Sequence, residues 1–70
     1  EKMKKLHIVL KEERENKNLT QTDVANILNI TQQAYAHYES GKRTPSIETL
    51  IKLADFYKVS LDYLTGRYNN

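Results

Sequence analysis

Apolar residues recur along this chain at intervals of three and four, never in strict alternation, and each run is bounded by residues that start or stop helices. Leu6, Val9 and Leu10, continued by Glu13, Arg14 and Lys17, keep helical spacing, with Lys11, Glu12 and Glu15 on the other side. Residues 4–16 are therefore expected to form an amphipathic helix that ends near Asn16-Lys17-Asn18. Thr20, followed three residues on by Asp23, has the form of a capping box and opens a second helix whose inward residues are Val24, Ile27 and Leu28. Asn29 stops it, because Asn is the non-glycine residue that best tolerates a left-handed conformation. Only Ile30 separates that stop from Thr31, a second N-cap, and a third helix runs to Gly41 with Ala34, Tyr35 and Tyr38 facing in. Pro45 pushes Thr44 into an extended conformation, and Ser46 caps a fourth helix with the stripe Ile47, Leu50, Ile51, Ala54 and Tyr57. After a break at Lys58-Val59, Ser60 caps one last turn that Gly66 ends. The reading is all-α: one five-helix domain over residues 1–66 and a frayed tail over 67–70.

Composition narrows this further. Seventy residues make one small core, since chains divide into separate cores only beyond about 250 residues. Leu, Ile, Val and Phe make up 17 of the 70, enough for a folded chain. There is no Cys, so neither a disulfide nor a thiolate metal cage adds stability. Leu6 to Leu10 after a lysine-rich start is too short and too polar for a signal peptide, and no run of 18 apolar residues occurs, so a cytoplasmic protein away from membranes is expected. The chain starts at Glu1 rather than Met, as a piece of a longer protein would.

The net charge of +2 is unevenly placed: residues 1–17 carry six Lys or Arg against four Glu, while 18–43 hold only Asp23, Glu39, Lys42 and Arg43. Charge alone does not point to nucleic acid, because a protein that holds a polyanion by bulk attraction usually carries a basic stripe. Spacing does more. Two short helices joined by about three residues, with the small Ala25 in the first and the apolar Ile30 just past the turn, must cross steeply. That is helix-turn-helix geometry, although any small helical domain can contain such a corner.

Several stretches in order then resemble one family. Leu10 to Arg14, Leu19 to Ala25, Thr31 to Tyr35, Tyr38 to Ser46 and Val59 to Leu64 are similar to the phage repressor and Cro family, also called the xenobiotic-response-element type, over roughly residues 4–66. The resemblance implies a lambda-repressor-like five-helix DNA-binding domain, a transcriptional repressor of a phage or mobile element, binding a palindromic operator as a homodimer with its third helix in the major groove. It implies that Gln21 contacts a phosphate and buttresses the recognition helix, a place where the helix dipole favours an anion. Gln32 and Gln33 then stand at the end that reaches base edges, where a Gln amide can pair with N6 and N7 of adenine. Ala36, suited to a thymine methyl, and His37, a donor to guanine or phosphate, lie one turn on; a plain helix former and a solvated side chain are the simpler alternatives. Thr31, Ser40, Lys42, Arg43 and Thr44 are candidate phosphate contacts, and Tyr35 joins them because its hydroxyl needs a partner where the family usually has an aliphatic residue. The family also pairs Arg14 with Glu39 as a structural ion pair. Leu61, Tyr63, Leu64 and Tyr68 offer a dimer surface, with core packing the competing role for Leu61 and Leu64.

Other classes find less. No nucleophile, base and orienting group can be assembled, so an enzyme is not expected. His7 and His37 lack companion ligands, no Gly-rich phosphate loop occurs, and no cofactor, metal or small-molecule ligand is expected. Glu12, Glu13 and Glu15 read as a solvated helix face. The competing function is a protein-interaction module of the same shape, such as an antitoxin or an adaptor domain; polar Gln32, Gln33 and His37 fit DNA better than a buried protein contact.

Overall fold

Hydroxyl residues start the last four helices and left-handed residues end them. In the computed structural model, which describes residues 5–66, five helices follow one another: α1 (Leu6–Asn16), α2 (Gln21–Leu28), α3 (Gln32–Ser40), α4 (Ile47–Tyr57) and α5 (Leu61–Thr65). Thr20 and Asp23 form the expected capping box, the Asp23 N–H donating to Thr20 Oγ1 at 3.1 Å and the Thr20 N–H to Asp23 Oδ2 at 2.9 Å. Thr31, Ser46 and Ser60 each accept an N–H from three residues on. Asn29, Gly41 and Gly66 stop their helices in the left-handed conformation, as expected. Asn18 and Lys58 adopt it too, at φ 58° each. For Lys58 nothing in the residue type announces it.

The core is built from Val9 and Leu10 of α1, Val24, Ala25 and Leu28 of α2, Tyr35 of α3, Leu50, Leu53, Ala54 and Tyr57 of α4, and Leu64 of α5. α2 packs on α3, α1 on α3 and α5, and α4 on α5 and α2. Three isoleucines expected inside are not: Ile27, Ile47 and Ile51 are 49%, 58% and 47% exposed. In α4 the stripe is rotated so that Leu53, which the sequence reading passed over, is fully buried while Ile47 and Ile51 flank it toward solvent. A run with apolar residues at 47, 50, 51, 53 and 54 admits either rotation, and packing against α5 and α2 decides between them. Glu12 and Glu13 are half-buried instead of solvated, with Glu13 accepting from the Tyr63 hydroxyl at 3.4 Å.

Candidate nucleic-acid interface

One side of α3 is sunk in the molecule and the other is open. Tyr35 and Glu39, one turn apart, are buried, whereas Gln32, Gln33 and Ser40 are exposed and Ala36 and His37 half-exposed. The Thr31 hydroxyl is committed to capping, accepting the Ala34 N–H at 3.1 Å, which holds the first turn where the two glutamines stand.

Four side chains from three elements lock this helix in place. Arg14 of α1 grips Glu39 in two-point fashion, Nε donating to Oε2 at 2.6 Å and Nη2 to Oε1 at 3.1 Å, while Nη1 donates to the Leu19 carbonyl at 2.8 Å. Gln21, at the start of α2, donates Nε2 to Glu39 Oε1 at 3.1 Å and accepts from Gln32 Nε2 at 2.7 Å. The buttressing expected of Gln21 is thus a continuous chain, Arg14–Glu39–Gln21–Gln32, running from α1 to the front of α3. Burial would raise the Glu39 carboxyl, but the hydrogen bonds from Arg14, followed by the influence of the nearby Tyr35 phenol and the hydrogen bond from Gln21, hold it below the usual carboxylate range. The same hydrogen bond holds the Arg14 guanidinium above its ordinary value against the opposing effect of burial. Beside the chain lies an open cleft of about 580 Å³, between α1 and α3, whose walls include Lys11, Gln21, Ala36 and Ser40.

After α3 the chain turns at Gly41 (φ 82°), and the loop is tied back to the helix end. The Arg43 N–H donates to the His37 carbonyl at 3.2 Å and the Lys42 N–H to Ser40 Oγ at 3.3 Å, leaving the Lys42, Arg43 and Thr44 side chains exposed. His7 of α1 packs under this turn: a Cβ on Gly41 would stand 3.2 Å from its Nδ1. Sequence spacing carried no sign of that contact, which joins α1 to the turn after α3.

Two expected site residues are corrected. Tyr35 cannot touch a phosphate, since it is 0% exposed and fills the core between helices. Leu64, also 0% exposed, is core and not dimer surface. Leu61 and Tyr63 remain half-exposed, and Tyr68 lies outside the described residues.

Residues 10–64 match the helix-turn-helix family. The chain belongs to that family. This helix-turn-helix chain is 49% identical over 61 residues to the uncharacterized regulator YqaE of Bacillus subtilis, covering 87% of this chain and 53% of that protein. It is 41% identical over 51 residues to the cryptic phage CTXphi transcriptional repressor RstR of Vibrio cholerae, covering 73% and 46%. It therefore spans about half the length of the curated relatives it matches. The fold is that of the P22 c2 repressor, solved in complex with a synthetic operator: TM-score 0.84 at 18% identity, over 93% of this chain and 98% of that one. The family is one of transcriptional regulators and not of enzymes. No helix among the described residues is long and apolar enough to cross a membrane.

Proposed function

We propose that this helix-turn-helix chain binds double-stranded DNA as a cytoplasmic transcriptional repressor, two copies reading a palindromic operator with α3 of each in the major groove. The observation that carries the reading is the side-by-side exposure of Gln32 and Gln33 on the first turn of a helix whose back is clamped by Arg14 and Glu39. Gln32 and Gln33 meet base edges, with Ala36 and His37 one turn deeper along the groove. Phosphate contacts come from Gln21, Thr31, Ser40, Lys42, Arg43 and Thr44, around the rim of that surface. The relative RstR, by its name a phage repressor, supports the sign of regulation. Each copy measures 34 × 23 × 21 Å, so two fit side by side with recognition helices about 34 Å apart, one turn of duplex. Leu61 and Tyr63 are the apolar part of α5 that such a pairing would use.

Selection of bound sequences from a random duplex pool, followed by gel-shift titration of the winners, tests this. Enrichment of a two-fold symmetric site, lost on Gln33→Ala, is the expected result. Absence of enrichment would return the chain to the protein-interaction class.

A further inference from the structure

The inner side of the Glu39 carboxylate is unaccounted for. A carboxylate offers about four acceptor positions, and Glu39 uses three, one for each Arg14 nitrogen and one for Gln21. One turn back on the same face of α3 stands Tyr35, 0% exposed, and behind it Tyr57 of α4, 3% exposed. Both phenol oxygens are buried, and neither has a partner at direct hydrogen-bonding geometry. Two orphaned hydroxyls in one small core carry a desolvation penalty as long as they lack partners. Each phenol is held above its usual range, first by burial; Tyr57 and Glu39 push Tyr35 further up, while Tyr35 itself pulls Tyr57 down.

We infer that Tyr35 is a positioning residue of the DNA-reading surface: its hydroxyl donates to the fourth acceptor position of Glu39, and the Tyr57 hydroxyl donates in turn to Tyr35. A phenol has one proton to give, so this order is the arrangement that serves both hydroxyls. It extends the clamp inward, from Gln32 at the surface through Gln21 and Glu39 to the centre of the core. The consequence is one of orientation. A carboxylate accepts only, so Glu39 compels Gln21 to turn its NH2 inward and its carbonyl outward; that carbonyl takes the Gln32 NH2. Gln32 is left facing outward with its own carbonyl and one N–H. Fixing the carboxylate on its inner side with Tyr35 holds in place the oxygen to which Gln21 donates, and through Gln21 the position of the Gln32 amide.

The DNA consequence rests on the function proposed above; the hydrogen bonds do not, and the test separates them. The carboxyl of Glu39 is titrated by carbon NMR in the parent, Tyr35→Phe and Tyr57→Phe chains, with circular dichroism to verify the fold. The groups facing that carboxyl are Arg14 of α1, Gln21 of α2, Tyr35 of α3 and Tyr57 of α4, and Glu15 of α1 lies 4.0 Å from the Arg14 guanidinium. Tyr35→Phe is expected to move the midpoint up toward the ordinary carboxylate range, and Tyr57→Phe to move it the same way by less. A midpoint in Tyr35→Phe that matches the parent would overturn the inference, all the more with unchanged or raised melting temperature, as removal of a true orphan would give. Should Tyr35→Phe fail to fold, Tyr57→Phe decides by the same criterion. In duplex selection, Tyr35→Phe is expected to lose about five- to tenfold discrimination at the base facing Gln32, with no loss at the base facing Gln33. A shifted midpoint with no duplex selected by the parent would keep the hydrogen bonds and refute the DNA reading; a shifted midpoint with unaltered discrimination would refute Tyr35's positioning role.

Discussion

Replacing Arg14 by Met would strand a carboxylate that is 8% exposed, leaving Gln21 as the remaining donor of the three. Removing one partner of a buried pair costs roughly 3 to 5 kcal/mol, so thermal denaturation of Arg14→Met should show a large loss of stability before any change in base preference appears. Altered operator preference at an unchanged melting temperature would contradict this. The pair also sets an acid response. Glu39 is lowered in the folded state, so its stabilisation is fully present above the unfolded value of about 4.3 and is lost as pH falls through the lowered folded value. Denaturant titrations between neutral and acid pH should show that decline, and in Arg14→Met the part due to Glu39 should vanish or reverse, because burial without the guanidinium raises that carboxyl and protonation then favours the folded state. At this scale the sequence was half legible. Gln32, Gln33 and the Arg14–Glu39 pair could be named from motif positions and Tyr35 set on the inward face by its spacing, while the complete burial of the Tyr35 hydroxyl and the bond between Gln21 and Gln32 depend on how the helices meet, which no local pattern encodes.

Helix ends were the most legible level, because capping is chemistry between neighbours in the chain. Thr20, Thr31, Ser46 and Ser60 each cap where expected. Which way a helix rolls is decided by its partners, and there α4 departed from expectation at Ile47, Ile51 and Leu53. Two substitutions probe the ends. Lys58 holds φ 58° as a residue with a Cβ, so Lys58→Gly should stabilise by about 0.5 to 1 kcal/mol and raise the melting temperature by several degrees. Gly41→Ala should do the reverse by more than about 1 kcal/mol, since φ is 82° and the new methyl meets the His7 ring. His7→Ala in the same chain should recover part of that loss, leaving the backbone share.

For the molecule as a whole, the low net charge of +2 makes a quantitative statement about salt. With two or three cationic side chains meeting phosphate per copy, the slope of log affinity against log salt should be about −4 to −6 for a dimer, measured by fluorescence anisotropy. A slope steeper than about −9 would mean the charges lie elsewhere. With Leu64 in the core, the apolar surface of α5 is smaller than the sequence promised, so sedimentation at micromolar concentration should show a weak monomer–dimer equilibrium that operator DNA tightens. The packing of α1 has a different kind of outcome. Its partners are α3 and α5, the latter made of residues 61–65, so during synthesis α1 meets α3 about halfway along the domain and its second neighbour only when nearly the entire domain has emerged. The shelter of Val9 and Leu10 is therefore completed late, and a transcript cut short before α5 would yield a chain in which one side of α1 is still unshielded.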